Sequence, residues 1–170
     1  MPTGLKQTSS TIAIGFGVTE TGANTFTQSQ VDLNLSPLDR EVFVVLSINL
    51  DPATPESVAG TTTSVGMSLT TTSQTAVAQL DNANCLASSA NVIRQNAGSV
   101  DGVAFQSLGS ETPPAMLEYV GIIATNDFFV QVQGAGNAAA RNGTGKLYGY
   151  RARASADIYA ALVQSEVLSA

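Results

Sequence analysis

Alternation of apolar and polar residues in short runs is the feature that most constrains this chain. In residues 11–16 the apolar side chains of Ile12, Ile14 and Phe16 recur at every second position. A period of two places alternate side chains on one face of a β-strand. The same pattern recurs in residues 31–35, 41–51, 62–69 and 147–153.

Proline- and glycine-rich breaks separate about eight such runs in the 170 residues. No run alternates with a long helical segment, which excludes a parallel α/β sheet. No repeat of fixed length is present, which argues against a propeller or solenoid. The sequence therefore predicts a single all-β domain over residues 1–170, an antiparallel β-sandwich or jelly roll of about eight strands.

Two pairing expectations follow from the apolar pattern. Residues 41–51 read as a central strand, and residues 119–124 and 128–133 flank the short sequence TND as the arms of a β-hairpin. We expect one face of the central strand to be buried as a set, formed by Val42, Val44, Leu46, Ile48 and Leu50.

Residues 61–75 contain seven threonines, three serines and no charge. Thr63, Val65, Met67 and Leu69 share one face of this run, while the opposite face is polar and uncharged. Because threonine is β-branched and suits a pleated surface, the run is typical of a strand with a polar outer face. An O-glycosylated stalk is the alternative, but stalks are proline-rich and do not alternate.

Two segments have helical spacing. Val77 and Leu80, with Ser73 as a cap, predict a short helical turn near residues 74–81. Near the C-terminus the period changes to that of a short helix with Ser155 as its N-cap, and a last strand is the alternative. The stripe predicted for this helix is Ile158, Ala161, Leu162 and Ser165.

The sequence contains no histidine, one cysteine (Cys85) and no phosphate-binding loop motif. Histidine-dependent nucleophilic catalysis and histidine-bearing zinc sites are therefore excluded, and we predict no enzyme activity, no cofactor and no metal. Two alternatives stay open: the scattered acids neither show nor exclude a carboxylate pair, and the DNAN sequence at residues 81–84 could hold calcium or be a solvated loop. The NGT at residues 142–144 reads as a turn unless the source is a eukaryotic secretory pathway.

Charge is sparse and acidic. Charged residues make up 12% of the chain, and the net charge is −6. A direct nucleic-acid binder needs a basic stripe or arm to release phosphate counterions, and the first eleven residues contain one lysine. The sequence predicts no direct nucleic-acid binding and, with no apolar run of about 18 residues, no transmembrane segment.

The sequence YGYRAR at residues 148–153 is the strongest candidate for a contact with another protein. Tyrosine and arginine are enriched at the centres of protein interfaces, and this basic strand lies in an otherwise acidic chain. We predict an intersubunit contact through Tyr148, Tyr150, Arg151 and Arg153. An ordinary strand with half-buried tyrosines and solvated arginines is the alternative.

The threonine-rich strands, the segment 119–133 and the closing sequence KLYGYRARASADIYAALVQSEV resemble those of small single jelly-roll virion proteins of bacterial or archaeal viruses. The resemblance implies a structural protein located in the virion, which self-assembles with further copies and other virion proteins and has no catalytic role. The alternative is a carbohydrate-binding β-sandwich of an adhesin or tail fibre, although tryptophan is absent and only ten aromatic residues are present.

Overall fold

The alternating runs form β-strands that pair antiparallel in two sheets, as seen in a computed structural model that describes residues 2–95, 102–107, 109–111 and 116–169. The strands are β1 (Leu5–Gln7), β2 (Ile12–Thr19), β3 (Thr27–Asp32), β4 (Glu41–Pro52), β5 (Thr63–Thr70), β6 (Cys85–Gln95), β7 (Gly102–Ser107), β8 (Gly109–Glu111), β9 (Gly121–Ile123), β10 (Asp127–Ala135) and β11 (Asn142–Ala154). One helix, α1 (Ala156–Leu168), follows them.

The strands are paired in a nested order. Within the described residues, one sheet has six strands, with β11 between β4 and the strands β1 and β2, and with β8 and β9 beyond β4. The other sheet has five strands in the order β3-β10-β5-β6-β7. Thus β2 pairs with β11, β3 with β10, β4 with β8 and β9, and β5 with β6. Pairing the first strand with the last, and so on inward, is the connectivity of a jelly roll, so the predicted fold class is confirmed, with eleven strands in the described residues rather than about eight.

An apolar layer fills the space between the sheets. Phe43 and Ile48 of the six-stranded sheet and Met67 of the five-stranded sheet are at most 1% exposed. The rings of Phe16 and Phe128 meet edge to face, with centroids 5.6 Å apart. Burying each large side chain of this kind stabilises the fold by roughly 1.5–3 kcal/mol, so this layer is the main source of stability.

The expectation that one face of β4 is buried as a set is wrong, because the strand contains a bulge. Tyr148 of β11 pairs with Ser47, whereas Gly149 pairs with Val45, so Leu46 is an extra residue. An extra residue moves every later side chain to the opposite face. Before the bulge Val42 and Val44 face α1, after it Ile48 and Leu50 face the other sheet, and Leu46 itself is half-buried.

The predicted C-terminal helix is present and covers the outer face of the six-stranded sheet. Ser155 is its N-cap, although its side chain makes no capping hydrogen bond. Part of the predicted stripe is wrong, because Ala161 and Ser165 are exposed. The apolar side chains that pack on the sheet are Ile158, Tyr159, Leu162 and Val163.

The helical turn predicted near residues 74–81 is absent; this segment is a loop across the outer face of the five-stranded sheet. Backbone N–H groups of this loop donate to side chains of the strands instead of to carbonyl groups of a helix. The backbone N–H of Gln74 donates to Oε1 of Gln28 at 2.8 Å, and that of Ala78 donates to Oγ of Ser68 at 2.9 Å. Partners from the sheet therefore override the weak helical spacing of this short segment.

The predicted hairpin across residues 119–133 is also wrong. β9 pairs with β4 in the six-stranded sheet, whereas β10 pairs with β3 and β5 in the other. The chain crosses between the sheets at residues 124–126, where the N–H groups of Ala124 and Thr125 donate to the carboxylate of Glu166. Two apolar runs joined by a short turn therefore lie in different layers.

In the described part of the chain, no helix is long and apolar enough to cross a membrane.

Candidate interaction surface

The four residues of the predicted intersubunit contact lie on β11, in the middle of the six-stranded sheet. Tyr150 is 7% exposed and packs in the cluster under α1. Burial is the main cause that raises the pKa of the Tyr150 phenol, and the negative charge of Glu118 raises this pKa further. Tyr148 is half-buried. The tyrosines therefore contribute first to packing within the chain.

Arg151 holds the connection between β3 and β4. Its guanidinium donates to the carbonyl oxygens of Leu33 at 2.7 Å and Asn34 at 3.1 Å, and forms an ion pair with Glu41 at 3.2 Å. Asn34 has a φ of 51°, a left-handed conformation that asparagine tolerates better than most residues. The arginine thus satisfies the carbonyls of a turn that no strand pairs with.

Arg153 is the most exposed of the four. It forms an ion pair with Asp39 at 3.0 Å, and the two side chains are 53% and 60% exposed. An exposed pair of this kind contributes at most about 1 kcal/mol to stability. The contact of all four residues with another copy stays a prediction, and Arg153 is the member with the most free surface.

The polar face of the threonine-rich run is buried at Ser68 and Thr70, toward the end of β5. Ser68, Thr70 and Gln131 are 0% exposed beneath the loop of residues 71–84. The side-chain amide of Gln131 joins them: its Oε1 accepts from Ser68 Oγ at 2.8 Å, and its Nε2 donates to Thr70 Oγ1 at 2.7 Å and to Gln28 Oε1 at 3.0 Å. Uncharged hydroxyls suit this position because each can be satisfied without burying a charge.

Residues 81–84, considered above as a calcium loop or a solvated loop, are partly internal. Asn84 is 4% exposed, and its Nδ2 donates to the carbonyl oxygen of Ser169 at 2.7 Å. Its backbone N–H donates to Oδ1 of Asn82 at 2.9 Å. Among the residues that the structure describes, no three His, Cys, Asp or Glu side chains come together as a metal site would need.

Two carboxylates, one buried and one half-buried, hold the connection between β10 and β11. Glu20 is 4% exposed and accepts from the N–H groups of Gly134 at 2.6 Å and Arg141 at 2.7 Å. Glu56 forms an ion pair with Arg141 and accepts from the N–H of Ala138 at 2.6 Å. These acids bind backbone groups at the end of β10 and in the loop that follows it, which gives each a structural role.

Sequence reasoning missed a group of exposed apolar side chains that lie between β6 and β9 in the chain. Of the nine large apolar side chains exposed in the described residues, five lie in this one stretch of the chain. Their sequence signal is weak, because short apolar runs beside proline and glycine look like buried strands. These five are Val103, Phe105, Met116, Leu117 and Tyr119.

β7, at the edge of the five-stranded sheet, carries two of these exposed apolar side chains. It pairs with β6, placing Val103 opposite Arg94 and Phe105 opposite Val92. The guanidinium of Arg94 lies over the Phe105 ring at 5.9 Å from its centroid. Val103 and Phe105 remain 59% and 53% exposed on the outer face. This arrangement suits contact with another protein strand.

No protein-family model matches the sequence, and no curated protein matches it. Among solved structures, the chain is similar to a chain of Desmodium yellow mottle tymovirus, at 12% identity and a TM-score of 0.26, over 91% of this chain and 93% of that chain. A likeness at that TM-score carries no argument about function, and the jelly-roll assignment rests on the strand pairing described above. The resemblance to virion proteins of bacterial or archaeal viruses stays a prediction.

Proposed function

We propose that this protein is a structural, non-catalytic virion protein that self-assembles with further copies and with other virion proteins. The observation that supports this most is that five of the nine large apolar side chains exposed in the described residues lie near one another in the chain, at Val103, Phe105, Met116, Leu117 and Tyr119. Exposed apolar surface beyond isolated side chains marks contacts with other proteins. Jelly rolls occur in viral capsids and in lectins, so the fold supports a virion role by analogy only.

The covering of the sheet faces supports assembly through edges and loops. α1 lies on the outer face of the six-stranded sheet, and the loop of residues 71–84 lies on the outer face of the other. Both broad surfaces are thus occupied, at least in part, by segments of the same chain. Contacts with neighbouring subunits then fall on strand edges and on the connections between strands.

We propose a contact with another copy at Tyr148, Tyr150, Arg151 and Arg153, in which Arg153 contributes most of the exposed surface. The exposed pair of Arg153 and Asp39 can be exchanged for an ion pair with another copy at little cost. Arg151 lies on the same face of β11 as Arg153, whereas Tyr150 lies on the opposite face and packs under α1. The contact would therefore be centred on Arg153.

Charge supports a role without direct nucleic-acid contact. The net charge is −6, and three arginines (Arg141, Arg151 and Arg153) already form ion pairs with carboxylates of the same chain. We expect no measurable binding to duplex DNA at physiological ionic strength. A submicromolar affinity that falls steeply with added salt would contradict this expectation.

The test of the proposed function is the size of the purified protein. Light scattering after size exclusion, with negative-stain electron microscopy, should show a homogeneous species much larger than one chain. The proportion of that species should rise with protein concentration. A monomer at every concentration that binds immobilised glycans would refute the proposal and support the carbohydrate-binding alternative.

A further inference from the structure

The edge strands of the two sheets differ in what they expose. β3 ends in Asp32 and exposes Gln30. β2 exposes only small side chains, including Ala13 and Gly15. β7 has no charged residue and exposes two large apolar side chains, and within the described residues it pairs only with β6. Edge strands usually carry charges or prolines that prevent further pairing, and β7 carries neither.

We propose that β7 is a subunit contact, in which it pairs antiparallel with β7 of a second copy in a register centred on Ala104. This inference rests on the proposed function and names the partner of the exposed apolar side chains on β7. An antiparallel pair of identical strands is related by a two-fold axis, so each copy offers the other the same donors, acceptors and side chains. The pairing would extend the five-stranded sheet across two subunits.

The register follows from the exposed face. Val103 and Phe105 are two residues apart and lie on one side of β7. Centring the pair on Ala104 places Val103 of each copy opposite Phe105 of the other. Cross-strand pairs of an aromatic and a β-branched side chain are among the stabilising ones in antiparallel sheets. A shift by one residue would place each of them opposite a residue of the other face.

The lack of charged residues on β7 suits a second copy of the same strand better than a charged partner. Two chains with a net charge of −6 repel one another, and β7 is a strand where they can approach without opposing carboxylates. The charged side chain beside the apolar pair is Arg94, on β6 opposite Val103. In the paired sheet the two copies of β7 lie between the two copies of β6. The two Arg94 residues are therefore three strand spacings apart, roughly 14 Å. Each then flanks the apolar rows without facing the other.

The size of the contact predicts a weak pair. A ladder of five residues on each strand, with four large apolar side chains in all, is well below the ~800 Å² per partner that a stable interface buries. Two isolated chains should therefore associate weakly. Many copies in a closed shell would add their contacts, and the pairing would be stable there.

The first experiment places charges on the edge. In the variant Val103→Lys/Phe105→Lys, self-association measured by sedimentation should weaken at least tenfold, because lysines would then face one another across the pair. The control is Gly17→Lys/Thr19→Lys, which adds the same charge at the same spacing on exposed positions of β2, opposite the uncharged Thr144 and Asn142. A Cβ at Gly17 would make only ordinary van der Waals contacts, the nearest at 3.6 Å, so the control should fold. Circular dichroism checks that both variants are folded.

Phe105→Thr is a second variant that keeps strand propensity and adds no charge. It should weaken association at least threefold, through the lost aromatic side chain alone. If the β7 and β2 lysine variants weaken association equally, or if neither β7 variant changes it, the edge pairing is wrong.

The second experiment detects the pairing covalently. Ala104 is exposed and borders a cavity of about 260 Å³, which leaves room for a thiol. In the register proposed, the two copies of residue 104 are opposite one another at a Cα separation of about 4.5–5.5 Å, which a disulfide can span. Ala104→Cys in a Cys85→Ser background should form a disulfide dimer under mild oxidation. Ala13→Cys in the same background should form at least fivefold less.

The outcomes separate this inference from the proposed function. A wild-type chain that assembles, with no cross-link at residue 104 and no effect of the β7 variants, refutes the edge pairing alone. A cross-linked dimer from a wild-type chain that never forms larger species supports the edge pairing and refutes the virion role. A chain that is monomeric in every experiment and never cross-links refutes both.

Discussion

Glu166 of α1 offers the sharpest test of how the C-terminal helix is held. Its carboxylate is 7% exposed. Oε2 accepts from the N–H groups of Ala124 and Thr125, each at 3.0 Å, and Oε1 accepts from the Thr125 hydroxyl at 3.3 Å. These two peptide groups lie where the chain crosses between the sheets, so one side chain of the helix satisfies backbone donors of that crossing.

Removing the carboxylate should be costly. Glu166→Ala leaves two backbone N–H groups without a partner beneath the helix, and each unsatisfied buried donor costs about 1–3 kcal/mol. Because water can enter part of the space, we expect a loss of about 2–4 kcal/mol in the free energy of unfolding. Glu166→Gln keeps one oxygen for both N–H groups and should cost less than about 1 kcal/mol. Urea denaturation followed by circular dichroism measures both values.

The pH dependence has a definite sign. Burial raises the pKa of Glu166 above its ordinary value, and the hydrogen bonds from residues 124 and 125 offset part of that rise. Between the unfolded and folded pKa values the native state binds more protons than the unfolded state, so stability falls as pH rises through this window. Glutamine does not titrate, and Glu166→Gln should therefore become more stable relative to wild type as the pH rises above the ordinary pKa of glutamate. A constant or opposite difference would refute this account of the site.

Three further predictions concern the sheets. Arg151→Ala should lower the free energy of unfolding by about 1–2 kcal/mol, because two turn carbonyls and a carboxylate lose their partner; an unchanged denaturation midpoint would contradict this. Leu46→Asn at the half-buried bulge should lower the free energy of unfolding by about 1 kcal/mol or less, whereas Ile48→Asn in the core should lower it by at least about 3 kcal/mol. Equal losses of stability in thermal unfolding of the two variants would contradict the bulge. Gly149→Ala should unfold the chain or cost more than about 2 kcal/mol, because its Cβ would overlap the Phe43 ring and a β4 carbonyl. Gly15→Ala, with open space around it, is the matched control, and similar melting temperatures for the two variants would show that this overlap is relieved.

The local pattern of the sequence was sufficient for the fold class. Alternation in β2, β5 and β11 depends only on which side chains avoid water, and a strand displays that choice at every second residue. The change of period after residue 155 likewise identified α1, since a helix that covers a sheet needs apolar residues three and four apart. The packed face of α1 differs from the prediction by one position, because sequence spacing alone does not show how a helix is rotated on its sheet.

The candidate site was only partly visible in the sequence. The arginines of β11 were identified as a charged group, but their partners come from the loop between β3 and β4, more than a hundred residues away in the chain. Val103 and Phe105 lie in a short apolar run, and the sequence alone does not show whether such a run is buried or exposed. They are exposed because β7 is the last strand of its sheet, and strand order is decided by long-range pairing.

Tertiary structure alone decided the bulge at Leu46, the crossing at residues 124–126 and the loop over residues 74–81. Each depends on a partner distant in sequence: β11 for the bulge, Glu166 for the crossing, and Gln28 and Ser68 for the loop. Local periodicity states which residues should be buried. It does not show which strand supplies the hydrogen-bond partners, because in a jelly roll the first strands pair with the last.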